Sequence, residues 1–309
     1  MITISCFSYK GGAGRSTLAM NVVPYLASVL EASEERPLIL VDMDIDSCGI
    51  TYFLDIENFK ESFQNEHAVQ DLFGSTGSPH RDSNASNAKD HDFFSKLVGV
   101  GRYFKKPNRS ILCIPAQPGG KLGGNSNYDG SNSSLLEEFI DECAQHDIAG
   151  VLLDSAVGDQ LTAKWCNNVA DIILCCLRPT EQFREGTSRF FDIFDEKICQ
   201  GKNIVVIPNV VPTEPLTIQE ADGKMHYPEH AKEKILEAFK DNIERGQNNY
   251  VMTMLEDDLF GVPKIDRFMW RESVLYAASD LTESERKALE SYEAIANIIA
   301  RIKNEQSDF

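Results

Sequence analysis

A glycine-rich run near the start of the chain carries the residues with the clearest chemistry. Residues 10–17 read Lys-Gly-Gly-Ala-Gly-Arg-Ser-Thr, between a strand-like run at 2–8 and a helix-like run at 18–30. A glycine-rich turn between a strand and a helix leaves backbone N–H groups unpaired, and the helix dipole adds positive potential at the same place. The sequence therefore predicts a loop that binds the phosphates of a nucleotide.

The residue types within this loop predict how it holds the phosphates. Backbone N–H groups would be supplied by four small residues: Gly11, Gly12, Ala13 and Gly14. The hydroxyl of Ser16 would bind Mg²⁺, and Thr17 would lie next to the α-phosphate. These roles depend on loop geometry alone.

The loop departs from the usual pattern G-x-x-x-x-G-K-[ST] in three respects. Tyr9 occupies the first glycine position, Lys10 is an early additional lysine, and Arg15 stands where the phosphate-binding lysine is expected. A guanidinium is a permanent cation that can bond two phosphate oxygens, but it is bulkier than an ammonium group. We therefore expect nucleotide binding to survive and hydrolysis to be slow, or absent without a stimulating partner.

Polar side chains also follow three later apolar runs, which read as buried strands. They are Asp42 and Asp44 after 37–41, Asp154 after 150–153, and Asn209 after 204–208. Asp42 and Asp44 are two residues apart, so an extended chain places them on the same face.

The loop and these runs resemble the motifs of the ParA/MinD family of deviant Walker A P-loop ATPases. Residues 10–17 match that family's K-G-G-x-G-K-[ST]-[ST] at every position except Arg15. Residues 37–44 are similar to the second strand with its D-x-D, and 150–158 to the Walker B strand with D-x-x-x-G. With the more weakly matching segment 261–267, the resemblance extends with gaps to about residue 275.

The resemblance implies ATP and Mg²⁺ as cofactors and gives roles to particular residues. Lys10 would reach the phosphates of the partner's nucleotide in an ATP-bound homodimer, and Asp44 would position the attacking water. Asp154 and Asp42 would join Ser16 around Mg²⁺. Asn209 either contacts adenine or is only a turn former, and both interpretations stay open.

The function implied by the resemblance is that of an ATP-binding switch that hydrolyses ATP slowly, dimerises on ATP, and positions, partitions or assembles a partner. A nucleotide-binding regulator that has lost efficient turnover is an alternative, for which Arg15 is the supporting feature. A dethiobiotin-synthetase-like biosynthetic enzyme is a third, less favoured alternative, because Lys10 is tied to the dimerising ATPases.

The order of apolar runs predicts an α/β fold with a doubly wound, mostly parallel sheet flanked by helices. Strand-like segments lie near 2–8, 38–43, 110–115, 150–154, 171–177, 203–208 and 249–254. Helix-like segments lie near 16–30, 133–146, 160–169, 182–199, 229–244 and 282–303. We expect one domain over 1–309, with loop-rich insertions at 55–130 and 213–250.

The last helix has its own start signal and an apolar face. Thr282 and Glu285 form a potential capping box. One face carries five apolar residues: Leu289, Tyr292, Ile295, Ile299 and Ile302. The tail that follows is not basic, so we expect this helix to dock onto the core rather than onto a membrane.

Composition limits the partners and the compartment. No apolar run approaches the length of a membrane span, and the eight cysteines contain no C-x-x-C, which is typical of free thiols in the cytoplasm. The net charge of −18 opposes indiscriminate DNA binding. Lys264, Arg267 and Arg271, with Trp270 between them, could still form a DNA surface, although a helix start with a buried tryptophan is favoured.

Overall fold

The computed structural model of the protein describes the glycine-rich loop, the C-terminal helix and most of the predicted strands. The described residues are 1–54, 68–73, 94, 97–117, 119, 131–187, 202–212, 216–220, 223–227, 233–235, 237, 251–253, 261–269 and 273–307. Much of the two predicted insertions, 55–130 and 213–250, lies outside these ranges.

The described residues contain eleven strands, the last of which ends at Pro263. They are β1 (Thr3–Ser8), β2 (Leu38–Asp42), β3 (Val98–Gly99), β4 (Ile111–Ile114), β5 (Gly150–Val157), β6 (Ile172–Leu177), β7 (Asn203–Val211), β8 (Leu216–Glu220), β9 (Gly223–Tyr227), β10 (Val251–Thr253) and β11 (Val262–Pro263).

Helices alternate with most of these strands. They are α1 (Arg15–Val29), α2 (Gly49–Phe53), α3 (Val69–Phe73), α4 (Ser131–Gln145), α5 (Leu161–Val169) and α6 (Glu283–Ser307). Residues 181–187 are also helical. Short 3₁₀ helices lie at Gly101–Phe104, Asn108–Ser110, Asp266–Met269 and Leu275–Ala277.

One large sheet joins nine of the described strands. Its order is β10-β7-β6-β1-β5-β2-β4-β3, and β11 pairs with β7. Every pair in it is parallel except β3 with β4, while β8 and β9 form a separate antiparallel hairpin. The doubly wound, mostly parallel sheet predicted from the apolar runs is confirmed.

The sheet is covered on both faces, which is why its strands are continuously apolar. In β2, Leu38 and Leu40 belong to the core cluster that contains α1 and α6. Their neighbours Ile39 and Val41 belong to the cluster that contains α4 and α5. Successive side chains of a strand point to opposite faces, so one strand contributes to both layers.

The predicted boundaries differ from the observed ones in specific places. The helix predicted from 133 begins at Ser131, and that predicted over 182–199 is described only to 187. The helix predicted at 229–244 lies mostly outside the described residues. Two-residue strands such as β3 and β11 were not predicted, because two residues carry no periodicity.

The C-terminal helix docks onto the core as expected. The Thr282 N–H donates to Glu285 Oε2 at 2.8 Å, and the Glu285 N–H donates to Thr282 Oγ1 at 3.3 Å, which confirms the capping box. Tyr292, Ile295 and Ile299 are buried in the cluster that also holds α1. This packing fixes α1, and therefore the start of α1, against the sheet.

Candidate functional site

The loop between β1 and α1 has the backbone of a phosphate cradle. Gly12 and Gly14 have φ angles of 78° and 83°, in the left-handed region that side chains disfavour. Gly14 is the N-cap residue of α1, and it forms no side-chain capping bond. The first N–H groups of this 15-residue helix are therefore directed toward the loop without a side-chain cap.

Side chains from beneath hold the carbonyl groups of this loop. The Cys176 thiol on β6 donates to Ala13 O at 3.1 Å, and the Ser8 hydroxyl donates to Lys10 O at 2.9 Å. Burial raises the pKa of Cys176 to about 12, so this thiol keeps its proton and stays a donor. Two carbonyl groups of the loop are thus held by side chains of β1 and β6.

Asn209, at the end of β7, lies against the same loop. Its Nδ2 donates to Ala13 O at 2.8 Å, and a Cβ atom added to Gly14 would lie 2.7 Å from that nitrogen. Its Oδ1 accepts from the N–H of Val210, whose φ is 61°. Neither interpretation of the sequence anticipated this contact with the loop, and the adenine contact stays a prediction.

Two carboxylates meet at the carboxyl edge of the sheet, next to the loop. Asp42 and Asp154 are register partners on the parallel strands β2 and β5, and both are fully buried. Burial first, and then the Asp154 carboxylate, raise the pKa of Asp42, whereas bonds from Thr51 lower it. This position concentrates negative charge where a cation would stabilise it.

Ser16 lies beside this pair. A Cβ atom added to Gly49 would clash with the Ser16 hydroxyl and would lie 3.5 Å from Asp154 Oδ2, so the hydroxyl and the carboxylate flank one glycine. The buried Oδ1 of Asp42 has no hydrogen-bond partner in the part of the chain that is described. A hydroxyl and one or two carboxylates suit Mg²⁺, which keeps several waters and binds substrate phosphates.

Charged side chains lie together at this site, but the described residues alone do not surround a metal ion. Within the described ranges, no three His, Cys, Asp or Glu residues are grouped so that they could hold a metal ion. Mg²⁺ bound with a nucleotide takes phosphate oxygens and water as further ligands. The predicted residues Ser16, Asp42 and Asp154 therefore fit Mg²⁺ bound with a nucleotide.

Arg15 and Asp44 form a buried ion pair at the start of α1. Arg15 Nη2 lies 2.6 Å from Asp44 Oδ2, and the two side chains are only 8% and 7% exposed. Asp44 Oδ1 accepts a weaker bond from the Ser47 N–H at 3.3 Å. The residue predicted to bind phosphate and the residue predicted to position water thus bind each other, which the sequence did not indicate.

Comparison with known proteins identifies the architecture. The solved structure of MinD with Mg-ADP from Pyrococcus horikoshii superposes with a TM-score of 0.56 at 15% identity, over 96% of this chain and 95% of that one. The MinC:MinD complex of Aquifex aeolicus gives 0.58 at 16%, over 97% and 95%. A ParA family ATPase of Chlorobium tepidum gives 0.57 at 14%, over 96% and 98%. The chain has a ParA/MinD-like fold. No protein-family model and no curated protein matches the sequence.

Lys10 lies at the start of the loop in this ParA/MinD-like fold and is partly exposed. Its side chain is half-buried, and its ammonium group makes no hydrogen bond or ion pair with any described residue. Gly11 and Gly12, which follow it, are exposed. Thr17 is largely buried, and its carbonyl accepts from Asn21 Nδ2 at 2.9 Å. Lys10 is therefore partly accessible to solvent, whereas Thr17 is largely shielded from it.

The basic residues considered for DNA are engaged within the fold where they are described. Lys264 pairs with Asp266 at 2.9 Å, and Arg267 pairs with Glu285 at 2.8 Å. Arg271 and Trp270 lie outside the described residues. Arg267 thus holds the C-terminal helix through Glu285, whereas Lys264 forms a surface pair with Asp266.

Two expectations from composition concern the whole chain. None of the seven described cysteines forms a disulfide with another described residue, and Cys199 lies outside the described residues. Among the described helices, none combines the length and the apolar character that a membrane span requires.

Proposed function

We propose that this chain is an ATP-binding switch protein that hydrolyses ATP slowly, dimerises on ATP, and positions, partitions or assembles a protein partner. The observation that carries the proposal is that a phosphate-type loop and candidate magnesium ligands lie next to each other. An uncapped helix start with two left-handed glycines lies beside Ser16, Asp42 and Asp154 at the carboxyl edge of a parallel sheet. A polyphosphate and its divalent cation need these groups together.

Each loop residue has a distinct task in this proposal. The N–H groups of Gly11, Gly12, Ala13 and Gly14 would bind phosphate oxygens, and Thr17 would lie beside the α-phosphate. Ser16, Asp42 and Asp154 would hold Mg²⁺, which when bound neutralises charge on the phosphates. Asn209 would border the base or brace the loop through Ala13 O.

Lys10 would act on a second copy of the chain. Its ammonium group has no hydrogen-bond or ion-pair partner among the described residues of its own chain, and its side chain is only half-buried. A cation in that position can reach anionic phosphates across a homodimer that assembles only when ATP is bound. Proteins of the same fold include one solved as a complex with a second protein, MinC:MinD, which supports a protein partner.

The organisation and location follow the same proposal. One sheet contains nine strands, the first being β1 and the last β11, and it shares its core with α6, which supports a single domain over 1–309 with insertions at 55–130 and 213–250. We place this domain in the cytoplasm, where free buried thiols stay reduced. DNA is not favoured as a partner because of the net charge.

A specific observation favours a second candidate, a nucleotide-binding regulator with little or no hydrolysis. Asp44, the carboxylate proposed to position water, is bound to Arg15 at 2.6 Å. If this pair persisted in the nucleotide complex, the water would lose its positioning group.

The test measures ATP turnover with Mg²⁺ together with dimer formation by light scattering. We expect slow turnover and ATP-dependent dimers in the wild type, and loss of both with Lys10→Ala. Asp44→Ala should abolish turnover, and Arg15→Lys should accelerate it. Lys287→Ala, on the exposed side of α6, is the matched control. Tight ATP binding with neither turnover nor dimers would instead support the regulator.

A further inference from the structure

We infer that Asp44 is a latch for Arg15: the Asp44 carboxylate holds the phosphate-binding guanidinium until the phosphates of a nucleoside triphosphate replace the carboxylate. The inference deepens the proposed function and rests on it. Arg15 is both the residue in the phosphate-binding position of the loop and the ion-pair partner of Asp44 at 2.6 Å. The Arg15 side chain would thus pair with a carboxylate in the protein without nucleotide and with a phosphate in the nucleotide complex.

The pair is shielded from water. Both side chains are more than nine-tenths buried. In a medium of low dielectric constant, two opposite charges in contact attract far more strongly than they do at the surface. A phosphate that recruits Arg15 must therefore compete with Asp44.

One nitrogen of the Arg15 guanidinium also lacks a hydrogen-bond acceptor among the described residues. Arg15 Nη1 is buried and has no hydrogen-bond partner within the described ranges. Buried donors of this kind are rarely left without a partner, and a charged one costs the most. Arg15 follows Gly14 of the phosphate cradle directly, so phosphate oxygen is the acceptor chemistry that the position favours.

The remaining carboxylate oxygen shows that Asp44 is held in place. Asp44 Oδ1 accepts the Ser47 N–H, and Asp44 O accepts the Cys48 N–H at 2.7 Å. The turn after β2 therefore fixes the carboxylate while the longer arginine side chain is the part that can move. Release of Arg15 would also free Asp44 Oδ2 for a water.

A latch makes a quantitative prediction about affinity. When only a small fraction of molecules has Arg15 free, the apparent dissociation constant for the ligand rises by the inverse of that fraction. Removing the negative charge of Asp44 should then tighten binding, although it removes a carboxylate proposed for catalysis. A bridge in which Arg15 kept Asp44 while binding phosphate would give the opposite result.

The experiment is a double-mutant cycle on the affinity for a non-hydrolysable, fluorescent ATP analogue with Mg²⁺. We expect Asp44→Asn to tighten binding by about tenfold or more in the wild-type background. In the Arg15→Gln background the same change should alter the dissociation constant by less than about twofold. Unchanged or weaker binding with Asp44→Asn, or equal tightening in both backgrounds, overturns the latch.

Asp46→Asn controls for the loss of one negative charge. Asp46 is exposed, two residues after Asp44, and makes no contact with Arg15. If Arg15→Gln does not fold, Asp46→Asn serves as the comparison. An increase in affinity for the analogue with Asp46→Asn equal to that with Asp44→Asn would again overturn the latch. Failure of the wild type and all folded variants to bind the analogue would contradict the proposed function itself, whereas binding without the expected pattern contradicts the latch alone.

Discussion

Thr51 binds one oxygen of Asp42 twice. Its N–H and its hydroxyl donate to Asp42 Oδ2 at 2.9 and 2.8 Å, and the hydroxyl in turn accepts the Ala116 N–H at 2.9 Å. All three groups are buried. The residue thereby fixes the rotamer of Asp42, leaves Oδ1 for another ligand, and connects the site to the end of β4.

Thr51→Val should weaken both the fold and the response to Mg²⁺. The change keeps the backbone bond but removes the hydroxyl, which leaves the buried Ala116 N–H without its acceptor. We expect the free energy of unfolding to fall by about 1–3 kcal/mol in urea titrations. The apparent Mg²⁺ affinity in the presence of ATP should fall as well, because Asp42 is less well oriented.

Thr51→Ser is the conservative control, since it retains the hydroxyl. It should restore Mg²⁺ affinity to near the wild-type value even if the lost methyl group lowers stability. Equal Mg²⁺ affinities in the wild type and Thr51→Val would contradict the orienting role.

Asp42→Asn should stabilise the protein without Mg²⁺ above neutral pH. Burial and the adjacent Asp154 raise the pKa of Asp42, so the folded state holds a proton that the unfolded chain, with a pKa near ~3.9, releases. Stability of the wild type therefore decreases as pH rises from that value toward the raised one. Asparagine keeps an acceptor for Thr51 and has no such loss.

Thermal melts between pH 5 and 8 measure this difference. The advantage of Asp42→Asn over the wild type should grow with pH and shrink toward pH 5. Mg²⁺ with ATP should raise the melting temperature of the wild type more than that of the variant, because the variant has lost a carboxylate from the metal site. A constant difference across pH would show that the folded state holds no extra proton at Asp42 in this range, so that its pKa is not raised.

Asn209→Ala separates the two roles considered for this residue. Its Nδ2 contacts Ala13 O at 2.8 Å and lies near the Sγ of Cys176 at 3.4 Å. We expect the variant to lower the affinity for ATP and for GTP by the same factor, because a loosened loop affects any triphosphate. Fluorescence titration with both nucleotides tests this, and a loss confined to ATP would indicate adenine recognition instead.

Sequence patterns predicted the parts of the site that depend on strand ends. Asp42 and Asp154 follow apolar runs, and parallel strands bring their carboxyl ends to one edge, so their proximity could be expected. The Arg15 and Asp44 pair could not, because the reach and rotamer of a long side chain leave no periodic signal. Thr51 was missed for a similar reason: its helix α2 has five residues, too few to show a pattern.

Gly14→Ala and Gly12→Ala form a matched pair that tests the shape of the loop. Both glycines have φ near 80°, so alanine adds backbone strain of about 1–2 kcal/mol at either position. A Cβ atom at Gly12 would meet nothing within 4 Å, whereas at Gly14 it would lie 2.7 Å from Asn209 Nδ2. Gly14→Ala should therefore be the more destabilising of the two in urea titrations.

The contact also predicts how the Gly14→Ala defect can be relieved. Combining Gly14→Ala with Asn209→Ala removes the clash, so the double variant should lose less stability than the sum of the two single variants. Gly12→Ala with Asn209→Ala should be additive, because the two positions share no contact. Additivity in both pairs would mean that a side chain at position 14 does not meet Asn209, which would contradict the close approach of the two residues.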